Sequence, residues 1–310
     1  MTSVSTPPST FSPPGLPRSN AGLPPTWARV RPEARAPLAI GAIAFGVLFA
    51  QPFVLLVRDW WTRPEAGHGL LLAPVALWLA WRSGIRSKAA GSVGVGLALL
   101  AVAVVVRYAS GLAAELFTMR GSMILAAAGL VTYSWGFRQV LHWWLPFVLL
   151  GLSIPLPEIV TQALALPLQF KASQMGAALL EMRQIPVQLT GNVIRLPGQE
   201  LFVTEACSGL RSLTAIISMA VLLGALMLRT VVGRVVLVGG AILVAVLVNG
   251  VRVFLTGFLV FYVNPALGAG FMHTTEGWLL FLVSLACLAA FTWLAMRAEG
   301  FFRGMRQSDA

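Results

Sequence analysis

Three residues of this sequence could together carry out acyl transfer: a cysteine, an arginine and a histidine. Cys207 lies in TEACSGLRSL, Arg252 in LVNGVRVFLTG and His273 in FMHTTEGW. A free thiol has a pKa of about 8.5, so little of it is the nucleophilic thiolate at neutral pH. A helix N-terminus after Cys207 would lower that pKa, and His273 could accept the proton. Arg252 keeps its own proton and could stabilise a developing oxyanion.

Each of these residues also has a purely structural interpretation. A lone cysteine in an apolar chain is usually a packing residue. Arg252 could extend towards lipid headgroups, and His273 could be an ordinary loop residue. Arg211 shares a helix face with Cys207, and it could pair with Glu205 or bind a substrate carboxylate. The residue types alone therefore leave the catalytic interpretation open.

The composition indicates that the chain is a membrane protein. Hydrophobic residues make up 57% of the 310-residue chain and charged residues only 11%, whereas about a quarter of a soluble domain is charged. Apolar blocks of roughly 15–20 residues predict eight membrane spans. They lie at about 37–57, 69–81, 91–106, 121–137, 139–154, 209–228, 235–251 and 278–296. The predicted fold is an all-α polytopic membrane protein with a transmembrane domain at 37–296.

The charges predict how the chain crosses the membrane. If the N-terminus is cytoplasmic, the inner segments carry 13 basic and 3 acidic residues. The outer segments carry 9 basic and 8 acidic residues. This excess lies in short inner loops, as the positive-inside rule requires. Both termini are therefore predicted to be cytoplasmic, with a disordered tail at 1–36 and a short tail at 297–310. The net charge of +11 is explained by topology, so no nucleic-acid partner is predicted.

The longest non-spanning region, at about 155–208, leads to Cys207 on the outer side. Two prolines in IPLP end the fifth predicted span. Five apolar residues then recur at spacings of four and three: Leu168, Ala172, Met175, Leu179 and Met182. They predict a short amphipathic helix that lies on the membrane surface or packs on neighbouring spans. Alternating residues with turns at Gly191-Asn192 and Pro197-Gly198 then predict a small β-meander.

The second cysteine, Cys287, lies in SLACLAAF in the middle of the eighth predicted span. It is expected to be a small buried apolar residue. Two cysteines at separate places define neither a disulfide framework nor a metal site. No cofactor and no metal ion are predicted.

The motifs EACSGLRSL and NGVRVF, with a histidine ahead of the last of about eight spans, resemble the exosortase/archaeosortase family. The stretch AGHGLLLAPVALWLAW, with His68, looks like that family's N-terminal His-Gly element, and IPLP and GNVIRLPG also fit. The resemblance covers roughly residues 37–296, in a short form without an additional C-terminal soluble domain. Ala66-Gly67 precede His68, where the family pattern has an aromatic residue and a serine.

The resemblance implies a cysteine protease/transpeptidase of the bacterial inner membrane, linked to surface protein sorting and exopolysaccharide production. Its partners would be proteins with a C-terminal Pro-Glu-Pro-type motif, a transmembrane helix and a basic tail. The family's roles make Cys207 the nucleophile, Arg252 the transition-state stabiliser and His273 the proton-transfer residue. Supporting or substrate-binding roles are predicted at four further positions: Arg211, Glu205, Asn249 and His68.

Two other functions fit the same residues. In a carrier or channel, Arg252 and His273 would line a polar path through the membrane. In a polysaccharide-assembly partner, they would carry out no chemistry. A transporter would favour broken helices in two matching halves, and the sequence shows no internal repeat. Detection of a thioester on Cys207 would favour the enzyme over both of these alternatives.

Overall fold

The computed structural model describes residues 32–63, 66–87, 89–203, 210–264 and 271–308, with only the backbone described for 32–35, 37, 210–212, 271–278 and 302–308. The helices of these ranges are α1 (Pro32–Thr62), α2 (Gly69–Ser83), α3 (Val93–Leu112), α4 (Leu116–Trp135), α5 (Phe137–His142), α6 (Trp144–Leu152), α7 (Glu158–Glu181), α8 (Leu210–Met227), α9 (Val231–Tyr262) and α10 (Phe271–Ser308). The strands are β1 (Gln188–Thr190), β2 (Val193–Leu196) and β3 (Gln199–Phe202).

Five segments in the described helices are long and apolar enough to cross a membrane. They are Leu38–Thr62, Val93–Leu112, Leu116–Trp135, Val231–Tyr262 and Leu279–Phe301. Two shorter apolar helices, Gly69–Ser83 and Leu213–Met227, coincide with the second and sixth predicted spans. The chain is thus a mostly helical, multi-pass membrane protein, and the count of eight spans stays a prediction.

The fifth predicted span, 139–154, is broken into α5 and α6 at Trp143. Pro146 lies in the first turn of α6 and has no backbone N–H, so it cannot continue the hydrogen-bond ladder to the His142 carbonyl. The Trp143 ring ties this break to the end of α2, because its Nε1 donates to the Gly84 carbonyl at 3.0 Å. The fifth predicted span is therefore formed by two short helices in the structure, and whether it crosses the membrane stays a prediction.

The predicted amphipathic helix is α7, which has 24 residues and packs closely against α9. A Cβ at Gly176 would lie 2.4 Å from Val253 Cγ1, and a Cβ at Gly250 would lie 2.7 Å from Met175 Cε. Farther along both helices, a Cβ at Gly257 would lie 2.9 Å from Leu180 Cδ1. Because these contacts advance in the same direction on both helices, α7 and α9 run parallel.

The sequence allowed α7 to lie on the membrane surface or to pack on neighbouring spans. The structure shows the second arrangement. Ala172 is buried, and Leu168, Met175 and Leu179 are half-buried, as the spacing predicted. Met182 was wrongly placed on the same face. Its side chain is 78% exposed because α7 ends at Glu181 and the residue lies beyond the packed helix.

The β-meander is confirmed, and it rests on the ends of α7 and α9. β1 pairs with β2 and β2 with β3, both antiparallel. The turns contain Gly191 and Gly198, whose positive φ angles of 64° and 82° suit glycine. Ile194 of β2 is buried in a cluster that includes Val260 of α9, and Gln199 Nε2 donates to the Val260 carbonyl at 3.1 Å. We call this end of the helices the meander end.

Three sequence expectations are changed by the structure. Cys287 is exposed on the surface of α10 rather than buried, because its neighbour Leu288 is the residue that faces the core. Helix α1 begins at Pro32, inside the predicted tail 1–36, while residues 1–31 lie outside the described ranges. Helix α10 continues to Ser308 through most of the predicted tail 297–310.

We expect Gly176→Leu to destabilise the protein, because its side chain would enter the space of Val253 and push α7 away from α9. Overpacking of this kind costs about 1–3 kcal/mol. Gly239→Leu is the matched control, since a Cβ at this α9 position meets nothing within 4 Å. Thermal unfolding in detergent should show a lower midpoint for Gly176→Leu only. Equal midpoints for both variants would contradict the close packing of α7 on α9.

Candidate active site

The described residues include part of the predicted site. Arg252, Asn249 and His68 have described side chains, whereas Arg211 and His273 have described backbones within α8 and α10. The other two predicted site residues, Cys207 and Glu205, lie outside the described ranges.

The predicted span 235–251 stops just before Arg252, and the sequence allowed this residue either to close the span or to lie within its outer part. In the structure α9 continues to Tyr262, so Arg252 lies within the helix. It is 21 residues beyond Val231, where α9 begins, so it lies about 31 Å along the helix. The hydrocarbon core of a bilayer is about 30 Å thick. If α9 enters the core near Val231, Arg252 therefore lies near the opposite hydrocarbon boundary. Its side chain is half-buried.

Asn249 and Arg252 share one face of α9 with Ala245. Their separations of four and seven residues place all three side chains on the same side of the helix. Ala245 packs with Leu213 of α8 and Ala165 of α7 in one apolar cluster. The face of α9 that carries Asn249 and Arg252 is therefore the one directed towards α8 and α7.

The start of α8 lies at a similar height to Arg252. Helices α8 and α9 are antiparallel, because Gly224 near the end of α8 faces Leu237 near the start of α9, whereas Leu213 packs with Ala245. Leu210, where α8 begins, is about 4.5 Å above the Leu213–Ala245 level, and Arg252 is about 10.5 Å above it. The two positions therefore differ by about 6 Å along the helices.

His273 lies at a similar height on α10. The α9–α10 pair is antiparallel, since the amide of Thr230 donates to Glu299 Oε1 at one end and Leu288 packs with Ala241 farther along. From the Leu288–Ala241 level, His273 is about 22 Å away along α10 and Arg252 about 16 Å along α9, in the same direction. The fold thus brings the start of α8, Arg252 and His273 to the meander end within about 12 Å in height.

Asn249 is the most buried of the described site residues, with 5% of its surface exposed. Its Nδ2 is buried and has no hydrogen-bond partner in the described part of the chain. A buried polar group without a partner costs about 1–3 kcal/mol. The amide therefore offers a donor on the α9 face that also carries Arg252.

His68 lies at the start of α2, in a separate group of contacts. Its Nε2 is 3.1 Å from the carbonyl oxygen of Leu152, at the end of α6. Beside it, Trp60 Nε1 of α1 donates to the carbonyl of Ser153 at 2.7 Å. These bonds hold α1, α2 and α6 together just before the chain enters α7. A supporting role for His68 in the site stays a prediction.

The structure also reveals a feature that the sequence interpretation missed, the extension of α9 beyond Arg252. Ten further helical residues, up to Tyr262, carry the cluster that supports α7 and the meander. The apolar run VFLTGFLVFY after Arg252 was the signal for it. Among the described residues, no group of three or more His, Cys, Asp or Glu side chains could hold a metal ion.

The described fold is that of a polytopic membrane protein whose last three helices place Arg252, His273 and the start of α8 at similar heights at the meander end. A family model described as transmembrane exosortase matches residues 60–290, about three quarters of the chain. The chain therefore belongs to the transmembrane exosortase family. No curated protein matches it, and no solved structure does.

We expect the two cysteines to differ in their reaction with a membrane-impermeant maleimide. Cys207 is predicted to lie at the wet outer boundary, whereas Cys287 is on the surface of α10 within an apolar span and should face hydrocarbon. Single-cysteine variants, Cys287→Ala and Cys207→Ala, separate the two signals. In intact cells only the variant that retains Cys207 should be labelled. Labelling of Cys287 with a silent Cys207 would contradict the nucleophile assignment.

Proposed function

We propose that this exosortase is a cysteine protease/transpeptidase that cleaves C-terminal sorting signals at the outer boundary of the inner membrane. Family membership supports a membrane sorting enzyme. The observation that carries the finer proposal is the position of Arg252. The residue lies on the α9 face directed towards α8, at a height close to where α8 begins after Cys207. A cation placed there could act on a peptide bond attacked by that thiol.

The proposed reaction forms and then consumes a thioester. His273 accepts the proton of Cys207, and the thiolate sulfur attacks the carbonyl carbon of the scissile peptide bond. The guanidinium of Arg252 donates hydrogen bonds to the oxyanion, with Asn249 Nδ2 as a further donor. When the C–N bond breaks, His273 returns the proton to the leaving amine. An acceptor amine or water then attacks the thioester and releases the thiol.

The proposed substrates are membrane-anchored proteins with a Pro-Glu-Pro-type motif, a transmembrane helix and a basic tail. The positive-inside rule keeps such a tail in the cytoplasm, where both termini of this chain are also predicted to lie. The substrate helix would lie beside α8, α9 and α10, with its scissile bond at the meander end. Arg211, near the start of α8, and Glu205, before it, are proposed to orient the substrate near the thiol. The proposed biological role is in surface protein sorting and exopolysaccharide production.

The most direct test is to trap the acyl-enzyme. A tagged substrate with the tripartite signal should form a covalent adduct with the enzyme, detected on a denaturing gel without reductant. Hydroxylamine should release the adduct, because it cleaves thioesters, and Cys207→Ala should form none. Cys287→Ala is the matched control and should form it normally. Processing that persists in Cys207→Ala would contradict the protease, and substrate transport without cleavage would favour a carrier.

The arginine roles are tested by two conservative variants, Arg252→Lys and Arg211→Lys. Lysine keeps the charge but loses the planar fork of donors. Loss of one oxyanion donor typically reduces the rate by a factor of about 10²–10³, so Arg252→Lys should impair processing severely at a normal membrane level. Arg211→Lys should have a milder effect. The measurement is the ratio of processed to unprocessed substrate in cells, and the opposite ranking would show that the roles are exchanged.

A further inference from the structure

Arg107 is an arginine within an apolar span whose charge is not balanced by an acid in the described part of the chain. It lies in α3, five residues before the end of the candidate span Val93–Leu112. Its Nη2 donates to a neutral acceptor, Gln51 Oε1 of α1, at 3.0 Å. Its Nε is buried without a hydrogen-bond partner among the described residues. The ion pairs found in those ranges involve other arginines.

Arg120 of α4 shows how the same fold balances a buried cation. Its side chain is 3% exposed, and its Nη2 lies 2.7 Å from Asp59 Oδ2 of α1. Charged side chains within a membrane span are costly, so they usually pair or serve a function. Because Arg107 has only an amide oxygen where Arg120 has a carboxylate, its charge is available to an anion from outside the chain.

An apolar groove lies beside Arg107, between α1 and α3. It has a volume of about 630 Å³, and its lining includes Ile40, Ile43, Val47, Leu48, Val104 and Tyr108. Leu48 and Val104 each precede one member of the Gln51–Arg107 pair by three residues, so the pair lies on the same helix faces as the groove, one turn nearer the C-terminal ends than these two residues. A groove of apolar side chains with a cation at one end matches an acyl chain joined to a phosphate.

The Arg107 side chain is directed towards the membrane surface. Its Nη1 would lie 3.1 Å from a Cβ at Gly111, one turn nearer the end of α3. The charge topology predicts that this end faces outwards. The guanidinium thus extends from the apolar interior towards the headgroups of the outer leaflet.

We infer that the groove between α1 and α3 binds an anionic phospholipid of the outer leaflet. The phosphate contacts the guanidinium of Arg107, Tyr108 lies beside the headgroup, and one acyl chain fills the apolar groove. Charge complementarity favours this occupant, because a zwitterionic lipid brings a cation of its own together with its phosphate, and an apolar helix brings no anion. The inference concerns α1 and α3 and does not depend on the proposed catalytic activity.

The test is native mass spectrometry of the full chain in mixed micelles of phosphatidylglycerol and phosphatidylcholine with identical acyl chains. A basic residue near the membrane surface favours an anionic lipid by roughly fivefold. Wild-type protein should therefore retain one lipid molecule, and the ratio of phosphatidylglycerol to phosphatidylcholine in this bound lipid should be about fivefold. Arg107→Gln should abolish this preference, and Arg107→Lys should retain most of it. Arg297→Gln is the matched control, because Arg297 is stacked on Trp293 away from the groove, and it should bind as wild type does.

The groove is tested separately by filling it. Ala44 lines the groove, so Ala44→Trp should reduce the retained lipid, whereas Ala42→Trp, at an exposed position outside the lining, should not. A photoactivatable phosphatidylglycerol should crosslink to peptides that contain 40–48 and 104–108. The inference is overturned if Arg107→Gln keeps the preference, if Arg297→Gln loses it equally, or if the crosslinks map to other helices.

Discussion

The contact between α7 and α9 is the interaction on which the meander end depends. Lipid is as apolar as the helices, so helices in a membrane associate through close packing rather than through the hydrophobic effect. Gly176, Gly250 and Gly257 allow this close approach, because a side chain at any of them would collide with the opposite helix. The parallel pair then carries the meander. The meander and the α9 segment that carries Arg252 thus depend on one glycine-lined contact.

Three groups of polar side chains in the described fold differ in the partners that they contact. The Asp59–Arg120 pair neutralises itself between α1 and α4. Trp60 and His68 use backbone carbonyls at the end of α6, where the helix leaves acceptors open. Asn249 and Arg252 instead share a face that looks towards other helices at the meander end. A polar face of this kind, within an otherwise apolar bundle, is typical of a functional site.

Local patterns predicted some elements of this fold well. Gly191-Asn192 and Pro197-Gly198 fixed both turns of the meander, because turn chemistry depends on a few neighbouring residues. The parallel direction of α7 could not be predicted, since its small residues give no sign of which helix they approach. The exposure of Cys287 was missed for a related reason. Hydropathy separates membrane from water, but it does not separate a side that faces lipid from a side that faces protein.

The candidate site was only partly readable in the sequence. Arg252 and Asn249 were predicted from a motif, and their common face on α9 follows from their spacing. Their height could not be derived, because it depends on how α8 and α10 pack along α9. The seventh predicted span ends at Val251 because the charged Arg252 was interpreted as its boundary. A long side chain can remain inside a helix whose apolar residues continue beyond it.

The length of α9 makes the protein sensitive to the thickness of its bilayer. The helix has 32 residues, so it is about 48 Å long, whereas the hydrocarbon core is about 30 Å thick. Its N-terminal end is tied to α10, because the backbone amides of Arg229 and Thr230 donate to Glu299. A thicker membrane would cover more of the helix and bring Arg252 deeper into hydrocarbon, and a thinner one would bring it into the headgroups. Acyl-chain length therefore sets the solvation of the guanidinium, so membranes of different lipid composition would tune the same site without any change in its residues.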